Sequence, residues 1–184
     1  KAWPGVVEAA NLIGSKQIQG RCTITGNLCN AGPAADSVPA LVAAGAKAVI
    51  QGPKGKRVVP VEQVPVGPGK TSLKKGELVE SIQLPARKPR SGDAYLRFIP
   101  RSEMDIAVVS AGVNLSLDAK GVVTDARVSL GAVAPTVLLV PAAAKALLDK
   151  FGYVDRDKDG WRELPDGKPF TIVIASTPSA RDRE

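Results

Sequence analysis

The spacing of apolar positions along this chain changes several times, and the changes mark out its elements. Over residues 6–19, Val6, Val7, Ala10 and Ile13 fall on one face at helical spacing, which predicts a short helix and turn. Residues 20–36 lose any period. Gly20, Gly26, Gly32 and Pro33 punctuate them, with Thr, Asn and Asp between, and they read as loop. Residues 37–45 suit a helix with Ser37 as N-cap and Gly45 as its close. Strands are predicted at 46–51 and 56–60 around a Gly-Pro-Lys-Gly turn. After a Pro/Gly-rich stretch, residues 77–84 are extended and 88–93 form a connector. Two apolar, β-branched runs follow at 105–117 and 122–133. Asp118-Ala-Lys-Gly121 joins them as a hairpin. Residues 141–151 predict a helix, with Pro141 at its start and Gly152 just past its end. The pattern is that of an α+β chain with antiparallel pairing.

Composition narrows the function. The chain has 184 residues, 44% of them hydrophobic, which suits one ordinary domain or two small ones. No apolar run reaches the roughly 18 residues that a membrane span needs, and no secretory leader is evident. The chain opens at Lys1 without Met and reads as a fragment. It contains no histidine, so a Ser-His-Asp triad, His-ligated zinc and imidazole acid–base chemistry would each need a ring from a partner. Cys22 and Cys29 cannot supply a four-thiolate zinc site, and cysteine use this sparse suits a reducing compartment. Net charge is +7, and the excess lies wholly in residues 1–149. Three Phe, two Tyr and two Trp offer little stacking surface, so an anionic cofactor or acidic partner subunit is a cheaper explanation than nucleic acid.

The most informative stretch is Thr23-Ile-Thr-Gly-Asn-Leu-Cys-Asn-Ala-Gly-Pro-Ala-Ala-Asp36. Small residues at 25, 26, 31 and 32 let backbone N–H groups approach an anion, and Thr23, Asn27 and Asn30 add side-chain donors. A helix start capped by Ser37 would bring its positive end nearby. Together these make a diphosphate cradle, with Asp36 as acceptor for a ribityl or ribose hydroxyl. The same composition also builds ordinary turns, so the residues alone leave both readings open.

Gly14-Ser-Lys-Gln-Ile-Gln-Gly-Arg21 together with this stretch resembles the QIRN, TIGGN and SP-x-x-D segment of the FAD-binding medium subunits of molybdenum hydroxylases. These are the flavoproteins of the carbon monoxide dehydrogenase and xanthine dehydrogenase family. The likeness continues through residues 41–46, Gly67-Pro-Gly-Lys-Thr71, Glu77-Leu-Val-Glu-Ser-Ile82, Tyr95-Leu-Arg-Phe with Arg101, Met104-Asp-Ile-Ala107 and Gly131-Ala-Val-Ala-Pro135. It covers residues 5–147. The resemblance implies that residues 1–88 are the second subdomain of a PCMH-type FAD-binding domain. Residues 93–147 would then be a truncated C-terminal antiparallel-sheet domain of the CO dehydrogenase flavoprotein type.

Carried over position by position, Thr23, Gly26, Asn27 and Asn30 would face the FAD diphosphate, and Ile24 is a further cofactor-binding position. Asp36 would take the ribityl chain, while Leu78 and Val79 would pack near the isoalloxazine ring. Arg97 stands where relatives often carry Lys close to the flavin. Thr25 replaces a common Gly, and Gly32 a common Ser. The family implies an oxidoreductase subunit without catalytic side chains of its own. It would pass electrons from 2Fe–2S clusters through non-covalent FAD to an external acceptor. The molybdenum cofactor would belong to a large subunit and the iron–sulfur clusters to a small one, in the cytoplasm. The cofactor does the redox work and the protein sets its position and potential. The family's first Gly-rich loop, of the AGGTD type, would precede Lys1. The chain alone is therefore expected to bind FAD poorly and to be inactive.

Some motifs point elsewhere. Gly67-Pro-Gly-Lys-Thr71 lacks the earlier glycine of a phosphate loop, since that position is Val64, and Pro68 removes a needed N–H. It reads as a turn. Trp3 and Trp161 read as packing residues, and Met104-Asp105 as a strand start with Asp105 paired to a nearby Arg. Residues 148–184 resemble a segment of family 5 extracellular solute-binding proteins, so the chain reads as a chimera joined near residue 147. The competing function is therefore a peptide-type ABC-transporter solute-binding protein, or a non-catalytic chimeric module. Within this tail, Asp155, Asp157 and Asp159 have the alternate spacing of a calcium loop; the other reading is a solvated acidic turn.

Overall fold

Four helices arise from the first 45 residues: α1 (Pro4–Asn11), α2 (Lys16–Gln19), α3 (Ile24–Cys29) and α4 (Ser37–Ala43). The computed structural model describes residues 3–102, 104–119 and 123–140, all within the unit Lys1–Ala144. The helix predicted at 141–151, Trp161 and the acidic triplet Asp155, Asp157 and Asp159 lie outside the described residues. The helix-and-turn expected over 6–19 divides at Gly14, whose φ of +54° suits a residue without Cβ. Its buried stripe is Val6, Ala9 and Ile13, so Val7 and Ala10 are only half-buried.

Two readings of the next segment need correction. Residues 20–36 are not all loop, because α3 forms inside them behind Thr23. Ser37 is not the N-cap of α4 either. Asp36 precedes the helix, and Ser37 is its first residue, fully buried. Every residue of α4 is buried, as befits a helix that is apolar all round. Its end follows the sequence reading. Gly45 has φ +71°, its N–H donates to Val42 O, and the Ala46 N–H reaches back to Leu41 O, both at 3.0 Å. That is a Schellman close.

β1 (Lys47–Gly52) and β2 (Gly55–Pro60) form the expected hairpin, and β5 (Leu78–Gln83) adds to the other edge of β1. Between them lie a 3₁₀ turn at Val61–Gln63 and a small hairpin of β3 (Pro65–Gly67) and β4 (Lys70–Thr71). The Gly-Pro-Gly-Lys-Thr motif is thus a strand turn, with Gly69 at φ +64°. A second antiparallel sheet has the order β6 (Ser91–Phe98), β7 (Val109–Leu117), β8 (Val123–Gly131), β9 (Leu138–Leu139). The expected connector at 88–93 is shorter than predicted, since Ser91 already starts β6. The strand expected from Asp105 begins only at Val109. Asp105 instead holds Arg101 at 3.0 Å and accepts from the Ile106 N–H at 2.8 Å, an arrangement that curls the chain rather than extending it.

The four-stranded sheet turns an unusual side inward. The residue pairs Asp93↔Asn114, Tyr95↔Gly112 and Arg97↔Ser110 put polar side chains and glycine on one face, continued on β8 by Arg127, Ser129 and Gly131. That face meets the helices. Asp93 Oδ2 accepts from the Gly5 N–H at 2.8 Å, at the start of α1, which has no side-chain cap of its own. Four residues further along the same strand, Arg97 donates to Leu12 O at 2.8 Å, at the end of α1. Arg127 donates to Val42 O at 2.9 Å and Ser129 to Pro39 O at 2.7 Å, satisfying carbonyls of α4. The sheet supplies an acceptor at the start of α1 and a donor at its end, and adds further donors to carbonyls of α4, an anion at one terminus and cations at the other.

Candidate functional site

The stretch read as a phosphate cradle is built around the start of α3. Thr23 lies in extended backbone, and its hydroxyl accepts from the Gly26 N–H at 2.9 Å. A Cβ at 26 would stand 2.9 Å from that same oxygen, so a larger residue there would shift the Thr23 hydroxyl. The cap consumes the Gly26 N–H within the chain. The first intrahelical bond is the Asn27 N–H to Thr23 O at 2.9 Å. The N–H groups of Ile24 and Thr25 precede it and have no helical partner.

Asn27 does other work than foreseen. Its Oδ1 accepts from Ser37 Oγ at 2.6 Å and from the Ser37 N–H at 3.3 Å, stapling α3 to the start of α4. Only its NH₂ group is left as a donor toward a ligand. Asn30, at the end of α3, is exposed. Ala31 follows it in left-handed backbone at φ +51°, and its carbonyl accepts from the Gly69 N–H at 3.1 Å.

Asp36 and Arg97, 61 residues apart in the chain, are directly paired at 2.9 Å. Their side chains are 12% and 11% exposed, so the pair is largely removed from water. The Asp36 Oδ2 takes Arg97, and Oδ1 takes the Tyr95 hydroxyl at 3.1 Å. Tyr95 is 1% exposed, and burial above all, aided by the Asp36 charge, pushes its phenol far up. It is therefore a donor at any ordinary pH. The sequence reading missed Tyr95 as part of the site. The signal was present in Asp93-Ala-Tyr95-Leu-Arg97-Phe, where polar and apolar residues alternate, but alternation alone does not say which side is buried.

Leu78 and Val79 point to opposite sides of β5: Leu78 is 57% exposed, and Val79 packs against the core. Beside the start of α3 an open apolar cleft of about 280 Å³ is lined by Val6, Ile24, Thr25, Leu41, Ile82 and Leu84. Of the positions singled out by sequence, Ile24 faces this cleft. Cys22 and Cys29 are half-buried free thiols, and burial pushes the Cys29 thiol up, away from an activated thiolate. Among the described residues no three His, Cys, Asp or Glu side chains gather as a metal site. No helix among them is long and apolar enough to cross a membrane.

Comparison with known proteins defines the class. Residues 1–87 match the FAD binding domain in molybdopterin dehydrogenase, and residues 94–152 match the CO dehydrogenase flavoprotein C-terminal domain. The xanthine dehydrogenase FAD-binding subunit of Escherichia coli O157:H7 is 34% identical over 134 residues, 72% of this chain and 46% of the relative. The carbon monoxide dehydrogenase medium chain of Hydrogenophaga pseudoflava is 32% identical over 147 residues, 80% of this chain and 50% of the relative. In structure, the Hydrogenophaga pseudoflava carbon monoxide dehydrogenase that lacks the Mo-pyranopterin moiety superposes with a TM-score of 0.72 at 34% identity, over 78% of this chain and 49% of that one. Reconstituted CO dehydrogenase from Oligotropha carboxidovorans gives a TM-score of 0.72 at 31% identity, over 78% and 50%. The chain belongs to the FAD-binding medium-subunit family of the xanthine and carbon monoxide dehydrogenases. It spans about half the length of the curated relatives it matches.

Proposed function

We propose that the chain contributes one side of the FAD site of a multi-subunit molybdenum hydroxylase. In that assembly it would pass electrons from 2Fe–2S clusters on a small subunit, fed by a large molybdenum-cofactor subunit, through FAD to an external acceptor in the cytoplasm. The observation that carries this is the hydrogen-bonded continuity of the predicted positions. Thr23 caps α3, Asn27 of α3 binds Ser37, and the neighbouring Asp36 binds Arg97.

The donors that suit an anion at the start of α3 are the Ile24 and Thr25 N–H groups and the Thr23 hydroxyl, with Asn30 at the far end of the helix. Asp36 retains acceptor capacity beyond its two bonds, since a carboxylate offers about four lone-pair sites. A ribityl hydroxyl is the ligand group it fits. Leu78, on the exposed side of β5, gives apolar contact for a ring edge, while Val79 supports the strand from beneath. FAD, when bound, supplies the one- and two-electron chemistry, and these residues bind and orient it. On this reading residues 1–88 belong to the FAD-binding domain and 93–147 to the C-terminal sheet domain. The positive excess in residues 1–149 supports an anionic ligand.

The test is a fluorescence titration of FAD with the chain, alone and preceded by the N-terminal half of the Hydrogenophaga pseudoflava medium chain. The completed protein should bind FAD tightly, the chain alone poorly. Asp36→Ala should then weaken FAD by about 1.5–3 kcal/mol, the range for hydrogen bonds to charged groups, and Asn27→Ala by less. A colourless completed protein would end this reading. Residues 148–184 are proposed to come from a solute-binding lineage, with Asp155, Asp157 and Asp159 as its candidate calcium ligands. Genomic amplification across codons 140–160 decides it, because a coding sequence continuing in the flavoprotein pattern removes the chimera.

A further inference from the structure

We propose that Tyr95 is a positioning residue of the flavin site, holding the Asp36 carboxylate in the orientation that accepts a cofactor hydroxyl. The proposal rests on the reading of Asp36 as a cofactor contact. Tyr95 itself is 1% exposed and so cannot touch a bound molecule. Its hydroxyl reaches Asp36 Oδ1 at 3.1 Å, while Arg97 holds Oδ2 at 2.9 Å. One anchor on each oxygen fixes the carboxylate plane. A single anchor leaves it free to turn about the bond to Cβ, and terminal torsions of this kind are broad.

Each anchor is itself tied down. Arg97 also donates to Leu12 O at 2.8 Å, at the end of α1, and the Tyr95 ring is held by full burial in the core. Gly112 sits directly opposite Tyr95 in the sheet, and a Cβ there would run into the Pro39 carbonyl, so β7 lies hard against α4 beneath this network. The orientation of Asp36 is thereby set by Tyr95 and Arg97 of β6, which lie in the second matched segment, although Asp36 lies in the first. Affinity for the flavin depends on how well the acceptor is held before the ligand arrives. Removal of the hydroxyl should therefore be felt at a site that Tyr95 never contacts.

The experiment is a double-mutant cycle of Tyr95→Phe and Asp36→Asn, read by FAD fluorescence titration in whichever protein of the titration above binds FAD. Asp36→Asn keeps the shape, but its one oxygen must face Arg97, which only donates, so an NH₂ group replaces the acceptor that Tyr95 holds. It should weaken FAD about tenfold or more. Tyr95→Phe alone should weaken it about three- to tenfold. In the Asp36→Asn background, Tyr95→Phe should change affinity by less than about twofold, since the group it positions is gone. A general loss of structure would instead lower affinity equally in both backgrounds, and that result overturns the proposal. So does Tyr95→Phe binding FAD like its parent while Asp36→Asn is weakened; the reading of Asp36 as a contact then survives alone. If Asp36→Asn binds like its parent, or no protein binds FAD, that reading falls and the positioning role falls with it.

Discussion

The two larger sheets among the described residues turn different kinds of side chain inward. In the three-stranded sheet, Ala48 and Ile50 of β1 are fully buried with Val59, Val79 and Ile82 beside them, and the exposed residues include Lys47, Lys56, Glu80 and Ser81 together with Val58 and Leu78. In the four-stranded sheet, β6 buries Asp93, Tyr95 and Arg97 and leaves Leu96 and Phe98 68% and 61% exposed. Hydrophobicity decides the first. The second is decided by what it faces, namely helix termini whose backbone groups need partners, for which serine, aspartate and arginine serve better than leucine. Burying a polar group is expensive only when it goes unbonded, and here Asp93 Oδ2, Arg97, Arg127 and Ser129 are bonded, while Asn114 Oδ1 on the same face is buried without a hydrogen-bond partner.

The largest test of this contrast falls on the buried pair. Arg97→Ala leaves Asp36 as a mostly buried charge and α1 without its C-terminal donor, and should cost about 3–5 kcal/mol in urea unfolding. A loss under about 1 kcal/mol would mean the polar face contributes no more than a surface pair does.

A pH titration probes the other sheet. Glu77 is bound by Arg57 at 2.8 Å, and this hydrogen bond, with that from the Lys74 N–H, holds its carboxyl down at about 2. A depressed folded-state pKa means stability that is present above the ordinary value of 4.5 and lost as pH falls toward about 2. Melting temperatures of the parent should therefore drop over that window, and the drop should be shallower in Glu77→Gln. Parallel curves for the two proteins would show that the pair stabilises nothing.

The smallest effect is expected where intuition places a large one. Leu96→Ser removes a leucine from the middle of a strand, yet that side chain is already exposed, and unfolding free energy should move by no more than about 0.5 kcal/mol. A loss of about 2 kcal/mol would show that the apolar side of β6 is covered in solution.

Local chemistry is what the sequence determined by itself. The close of α4 at Gly45, the β1–β2 and β7–β8 hairpins, the antiparallel α+β class and the Gly67–Thr71 turn all follow from residues within a few positions of one another. Each depends on a backbone conformation that only certain residues adopt. What lies between partners distant in sequence was open until the chain folded. Thr23 reads equally as a ligand donor or a cap, and only the course of α3 made it a cap. Ser37 reads as an N-cap until Asn27 is seen to take its hydroxyl. The inward face of β6 could not be chosen from alternation, because the period of two is the same whichever side is buried. The choice belongs to the backbone groups of α1 and α4, which the polar side of the sheet meets with Asp93, Arg97, Arg127 and Ser129.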